Sequence, residues 1–205
     1  RLRGTDMGAH ENLEDVQHAE HASHGGNKKI AMLISVLALF LAFSETLGKS
    51  AQTHAIALNV EANDLWAFFQ AKTIRMTVLS TAAEQMQIEA DRATDPELKT
   101  RLTKKIDEWK KLVARYDDEP SSNEGRKQLT ARARDSEHHR DLSMARYHNY
   151  EIASAAYQIG IVLASAEVIT GMVVLGWASG LLGLVGLMFT GVGLWAPHAL
   201  HFITG

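Results

Sequence analysis

Several residue types are absent or rare in this chain of 205 residues. It has no cysteine, which excludes disulfides, thiol catalysis and iron–sulfur ligation. It also lacks the G-x-S-x-G, H-E-x-x-H and Walker motifs, so no catalytic motif indicates an enzyme. The net charge is −3, and residues 49–146 hold 17 basic and 16 acidic residues. This balance gives no reason to expect nucleic acid as a partner.

Charge is scarce in two long apolar segments. Residues 152–202 contain one charged side chain, Glu167, and residues 30–47 form a second apolar block directly after Lys28 and Lys29. One helical membrane span needs about 20 mostly apolar residues. The sequence therefore predicts an all-α protein with three transmembrane helices and a long helical, coiled-coil-like extramembrane insert. The predicted segments are a polar tail 1–28, span one 29–49, a three-helix stalk 50–150, span two 151–176 and span three 180–202.

The first apolar block also resembles the core of a secretory signal, because it follows two lysines. Residues 44–49 make a poor small-residue cleavage site, so we expect a retained anchor. The orientation in the membrane stays open. Lys28 and Lys29 favour an inside N-terminus, whereas Arg134, Arg140 and Arg146 favour an inside insert.

The scarcity of proline and glycine predicts that the first helix is long. Residues 29–94 contain no proline and one glycine, Gly48. A heptad pattern of apolar or small residues, interrupted only by Lys72, predicts a seam that faces a partner helix. Its positions are Ala51, Ala55, Leu58, Ala62, Leu65, Phe69, Lys72, Met76, Leu79, Ala83, Met86 and Ala90.

Capping signals predict two further insert helices. Asp95 before Pro96 fits an N-cap followed by proline at the first helical position. Ser121 with Glu124 fits a capping box, and we expect that third helix to continue into span two. Gly25-Gly26-Asn27 predicts a break before span one. Residues 176–180 are the predicted turn between spans two and three. Pro197 should kink or end span three.

Two acids fall within the predicted spans. Glu167 is expected near the middle of span two, where a carboxylate costs at least about 2.5–3.5 kcal/mol unless it is paired or protonated. It is either a proton or ion site or a protonated side chain hydrogen-bonded between helices, with Ser165, Thr170 and Thr190 as possible partners. Glu45 is expected to reach the membrane interface.

Small residues recur at helical spacing in spans two and three. Such rows allow helices to approach closely. Packing within the hairpin and packing between subunits are both open. The residues are Ala156, Gly160, Ala164, Gly176, Gly180, Gly183 and Gly186.

The histidines form a weak candidate metal site. His18, His21 and His24 are spaced by three, but a zinc site needs three or four converging ligands. The polar tail has little to fold against, so we expect no metal and no other cofactor.

Four segments carry a family resemblance. They are residues 9–13 (AHENL), 19–22 (AEHA), 44–52 (SETLGKSAQ) and 63–75 (NDLWAFFQAKTIR). Together they resemble a bacterial membrane-protein family catalogued as a domain of unknown function. The resemblance implies a bacterial membrane location and points to Trp66, Gln70 and Lys72, but it implies no activity. Lys72 either sets register or oligomer state or turns outward to pair with an acid.

These features lead to two functional hypotheses. The first is a non-enzymatic scaffold or accessory protein of the bacterial inner membrane, which self-associates into a homo-oligomer through the heptad seam and the glycine-rich hairpin. It would contact the lipid bilayer and possible membrane-protein partners. The alternative is an ion- or proton-conducting oligomer that uses Glu167. Enzyme chemistry would have to reside in a partner chain.

Overall fold

A computed structural model describes residues 7–197, and the side chains from Lys28 onward. The described chain forms four helices and no strand: α1 (Met7–Arg92), α2 (Pro96–Asp117), α3 (Arg126–Thr170) and α4 (Val173–Trp195). Segments of α1, α3 and α4 are long and apolar enough to cross a membrane. The all-α fold, with three helices long and apolar enough to span a membrane, is therefore confirmed. The predicted continuity of the third insert helix with span two is also confirmed, because both lie in α3.

The chain divides into two compact units. We call residues 1–52 with 144–205 the membrane unit, and residues 53–143 the insert. The helices α1 and α3 contribute to both units, α2 lies in the insert, and α4 lies in the membrane unit.

The membrane unit is a bundle of α1, α3 and α4. Its core contains Leu37, Ala153 and Tyr157, with Phe40 and Phe189 packed against it. Two buried hydroxyls also join the helices. Ser44 donates to the Tyr150 carbonyl oxygen at 3.0 Å, and Ser179 donates to the Gly160 carbonyl oxygen at 2.7 Å. Hydrogen bonds of this kind add to helix packing where no water is available.

The insert packs α1 against α2 and α3. Leu65 of α1 contacts Leu129 and Ala133 of α3, while Ala83 and Ala90 of α1 pack with Ile106 of α2 in a second cluster. Every residue of the heptad seam is buried or half-buried. The seam does face partner helices, as its spacing predicted, and those helices belong to the same chain.

The two caps predicted for the insert have different outcomes. Asp95 caps α2 and accepts a hydrogen bond from the Glu97 backbone N–H at 3.0 Å, which confirms that start. The capping box at Ser121 is wrong, because α3 begins at Arg126 and the Leu129 N–H donates to the Gly125 carbonyl oxygen. A Cβ on Gly125 would overlap the Glu119 backbone nitrogen. The loop therefore packs closely on Gly125, and α3 begins directly after this glycine rather than after Ser121.

The turn between the second and third spans also differs from the prediction. It lies at Gly171 and Met172, and residues 176–180 belong to α4. Gly171 has a φ of 70°, and its N–H donates to the Glu167 carbonyl oxygen. A glycine in this left-handed conformation ends a helix without the steric cost of a Cβ. The membrane helices therefore end at Thr170 and begin at Val173, several residues before the expected boundaries of 176 and 180.

The first and last helices also differ from the predicted segments. The helix α1 begins at Met7 and continues through Gly25-Gly26-Asn27, where a break was predicted. Glycine inside a helix costs only about 1 kcal/mol relative to alanine. The last helix ends at Trp195, two residues before Pro197, as expected of a residue that cannot continue a helix. The remainder of the predicted third span, residues 198–202, lies outside the described residues.

Candidate functional sites in the membrane unit and the insert

The position of Glu167 differs from the sequence prediction. It lies three residues before the end of α3 at Thr170, a distance of about 4.5 Å along the helix axis. Glu167 is thus within one turn of the end of the second span rather than near its middle. The early turn at Gly171 is the reason for the difference.

Glu167 contacts the start of the third span. A Cβ on Gly176 would overlap its carboxyl group, so the carboxyl group packs directly on the backbone of α4. The Oε2 atom is buried and has no hydrogen-bond partner among the described residues. The proposed partners Ser165, Thr170 and Thr190 donate instead to backbone carbonyl oxygens of their own helices.

An open groove of about 760 Å³ lies beside Glu167. We call it the Lys29–Glu167 groove, after the two charged residues that line it. All its other lining residues are apolar or glycine. They are Ile30, Leu33, Val173, Val174, Gly176, Trp177, Ala178, Gly180, Leu181 and Leu184.

Glu45 lies elsewhere in the membrane unit. It is exposed, and its Oε1 accepts a hydrogen bond from Gln158 Nε2 at 3.2 Å. Glu45 and Glu167 therefore have separate surroundings, and Glu45 does not line the groove. Its proximity to the membrane interface stays a prediction.

The small residues pack mainly within the chain. Ala156 and Ala164 are buried. A Cβ on Gly160 or Gly183 would contact Leu37, at 3.3 and 2.8 Å respectively, and a Cβ on Gly186 would reach Tyr157 Cε1 at 2.5 Å. Only Gly180 has nothing within 4 Å of an added Cβ among the predicted packing glycines.

Sequence reasoning missed Gly193 and the two tyrosines that these glycines accommodate. A Cβ on Gly193 would approach Tyr150 Cε1 at 2.7 Å. Gly193 follows Gly186 by seven residues, which places both on one face of α4. The seven-residue spacing of these two glycines was the signal in the sequence that could have identified Gly193. The large side chains of Tyr150 and Tyr157 were the second signal.

Lys72 is a buried positive charge in the insert that lies close to two acids. The residue is 4% exposed. Its Nζ lies 3.9 Å from Glu119 Oε2 and 3.8 Å from Glu124 Oε2, and it sits over the rings of Phe68 and Tyr116 at 5.0 and 5.5 Å. Lys72 does pair with acids, as one of the two alternatives predicted. Its side chain is buried, however, and does not turn outward as that alternative expected. It connects α1 to the loop between α2 and α3.

The other two residues indicated by the resemblance lie one turn apart on α1 but differ in burial. Trp66 donates from Nε1 to Glu137 Oε1 at 2.9 Å and packs edge-on against Phe69, with ring centroids 5.5 Å apart. Gln70 is exposed. Trp66 and Lys72 thus stabilise the insert internally, whereas Gln70 faces outward.

Charges in the loop after α2 shift the pKa values of their neighbours. Hydrogen bonds from Gln128 at 2.7 Å and Lys127 at 3.0 Å lower the pKa of Asp118. The hydrogen bond from Arg115 is the largest cause of the lowered pKa of Glu119. Asp118 in turn raises the pKa of Lys127.

These shifts predict a loss of insert stability in acid. A carboxyl group with a lowered pKa in the folded state stabilises the fold above its ordinary pKa and loses that contribution as pH falls through the folded value. The ordinary values are 3.8 for Asp118 and 4.5 for Glu119. Thermal unfolding of the insert should therefore shift to lower temperature below about pH 4.5. Asp118→Asn should reduce the shift, and an equal shift in that variant would contradict the assignment.

No group of three or more histidine, aspartate or glutamate side chains suited to a metal occurs among residues 28–197. His18, His21 and His24, the weak candidates from the sequence, lie outside the residues whose side chains are described.

Comparisons with known proteins identify a family but no characterised relative. No curated protein and no solved structure matches the chain. The family model described as Domain of unknown function (DUF4337) matches residues 26–196. The chain therefore belongs to the DUF4337 family.

Proposed function

We propose that this multi-pass membrane protein is a non-enzymatic scaffold of the bacterial inner membrane that self-associates through an exposed face of α1. The supporting observation is a row of uncharged, exposed residues in the insert, which we call the outer face of α1. Each member follows the previous one by three or four positions. The row is Ile56, Val60, Asn63, Ala67, Gln70, Ile74, Val78, Thr81, Gln85 and Ile88.

The outer face is distinct from the heptad seam. At 100° per residue, its ten members fall within an arc of about 80° on the helix surface. Its large apolar side chains are well exposed: Ile56 by 59%, Ile74 by 65% and Val78 by 61%. A long exposed stripe of uncharged, mainly apolar side chains on an extramembrane helix indicates a protein contact.

A second copy of the chain is the occupant that this face fits best. The row covers 33 residues, more than the three to four heptads that a coiled coil requires. Copies in one membrane carry their first span at the same end of α1, so their α1 helices would run parallel around a two-fold axis. In that arrangement Asn63, Gln70 and Gln85 would each meet their own counterpart, which satisfies polar groups and sets the register.

The other surfaces suggested by the sequence support self-association less well. The heptad seam is filled by α2 and α3 of the same chain. Most of the hairpin glycines accommodate side chains of the same bundle. The outer face of α1, and not the heptad seam, is therefore the surface through which copies of the chain would associate. Conduction through Glu167 is not favoured, because this residue lies at a helix end beside an apolar groove.

Single cysteines test the proposal, since the natural chain contains none. Ile74→Cys and Val60→Cys should each form a disulfide-linked dimer in native membranes under mild oxidation, because a disulfide needs Cα atoms within about 7 Å. Ala131→Cys, on the exposed surface of α3, is the matched control and should stay monomeric.

A charged variant supplies a second measurement. Ile74→Asp should reduce the mass of the detergent-solubilised particle to that of a monomer, whereas Ile74→Leu should leave it unchanged. Equal cross-linking at all three cysteine positions, or a monomeric natural protein, would overturn the proposal. Cross-links to a different protein would indicate an accessory role instead.

A further inference from the structure

The Lys29–Glu167 groove has the form of a lipid site at one membrane surface. Lys29 directly precedes the apolar segment 30–47 of α1, Glu167 lies near the end of α3, and Val173 begins α4. The end of α3, the start of α4 and the residues of α1 that directly precede its apolar segment therefore border the groove. Trp177, which also lines it, is 80% exposed, as expected for an aromatic side chain at the level of lipid headgroups.

The groove combines an apolar wall with one charge of each sign. Its volume of about 760 Å³ falls within the usual range of about 300–1,000 Å³ for small-molecule sites. Leu181 and Leu184 are 64% and 68% exposed, so the apolar wall is open to an acyl chain. No ion pair joins Lys29 to Glu167 in the described part of the chain.

Glu167 itself indicates which chemical group the groove would accept. Its buried Oε2 lacks a donor among the described residues, and a buried polar atom without a hydrogen bond is unfavourable. A primary ammonium supplies up to three N–H donors and a compensating charge. A quaternary ammonium supplies the charge but no donor.

We propose that this groove binds a phospholipid with a primary amine in its headgroup. The ammonium donates to the Glu167 carboxylate, the phosphate pairs with Lys29, and an acyl chain lies along Leu181 and Leu184. A zwitterionic headgroup matches the two opposite charges, whereas a headgroup with a phosphate alone matches only Lys29. This site is independent of self-association through the outer face of α1.

Native mass spectrometry of the detergent-purified protein tests the proposal. The probes are phosphatidylethanolamine, phosphatidylcholine and phosphatidylglycerol with identical acyl chains. We expect the natural protein to retain phosphatidylethanolamine about tenfold better than phosphatidylcholine, a difference of about 1.4 kcal/mol. Equal retention of the two, or a preference for phosphatidylglycerol, would overturn it.

Variants assign the selectivity to individual groups. Glu167→Gln should bring the ethanolamine-to-choline ratio close to one, whereas Lys29→Gln should weaken both lipids by a similar factor and keep the ratio. Glu45→Gln, an exposed acid outside the groove, is the control and should change neither.

A substitution on the apolar wall keeps the test decisive if Glu167→Gln does not fold. Leu184→Trp changes an exposed side chain and should lower the retention of all three lipids together. An unchanged ratio in a folded Glu167→Gln protein, or unchanged retention in Leu184→Trp, would exclude this groove as the site.

Discussion

Replacing Gly186 by valine is expected to destabilise the membrane unit by about 2–3 kcal/mol, because the added side chain overpacks a filled core. A Cβ at this position would lie 2.5 Å from Tyr157 Cε1 and 2.7 Å from its Cζ. Tyr157 is fully buried and cannot turn away freely, since it packs on Phe40 with ring centroids 6.0 Å apart. Its hydroxyl also contacts Thr190 Oγ1 at 3.2 Å.

Thermal unfolding of the detergent-purified protein, followed by circular dichroism, measures this loss. Gly180→Ala is the matched control, because an added Cβ there meets nothing within 4 Å. It should be neutral or slightly stabilising, as alanine favours a helix over glycine. Combining Gly186→Ala with Tyr157→Leu should restore part of the stability that Gly186→Ala loses. If Gly186→Val and Gly180→Ala unfolded alike, the close helix contact at Gly186 would be refuted.

Reversing the buried charge in the insert should have the other large effect. Lys72→Glu would place a third carboxylate beside Glu119 and Glu124, both within 4 Å of the natural Lys72 Nζ. The side chains of Lys72 and Glu119 are only 5% and 10% exposed, so solvent screens the repulsion between these two positions poorly. We expect the insert to lose about 3–5 kcal/mol, the usual cost of an uncompensated buried charge.

Lys72→Met distinguishes the charge from the volume of the side chain. Methionine retains an unbranched apolar stem, and Glu119 keeps its hydrogen bond to Arg115. This variant should therefore lose only about 1 kcal/mol, a typical value for a single substitution. Hydrogen exchange of the amides in residues 53–143 of the full-length protein reports the local loss. Equal protection in the glutamate and methionine variants would show that the ion pairs contribute nothing.

The architecture was largely predictable because membrane spans and helix seams depend on local patterns. Long uncharged segments predict spans, and the four–three spacing from Ala51 to Ala90 predicts a buried seam, since side-chain direction on a helix repeats with sequence. The N-cap at Asp95 was predictable for the same reason, as its hydrogen bond reaches only two residues along the chain.

The turns were harder to predict, because glycine serves two purposes in a membrane helix. Residues 176–180 have the composition of a turn, yet Gly176 is required by the close approach of the Glu167 carboxyl group. Gly171 has the turn geometry, with its positive φ. Nothing local separates a packing glycine from a turn glycine, and this error placed Glu167 in the middle of its span.

The sequence by itself determined that the protein is all-helical, that three segments can cross a membrane and that one seam of α1 is buried. These properties depend on composition and on the periodicity of a single helix. The tertiary structure decided what fills that seam, where Glu167 lies, which acids surround Lys72 and which face of α1 stays exposed. Each of these depends on distances between residues far apart in the chain, such as Lys72 and Glu119, which no local pattern encodes.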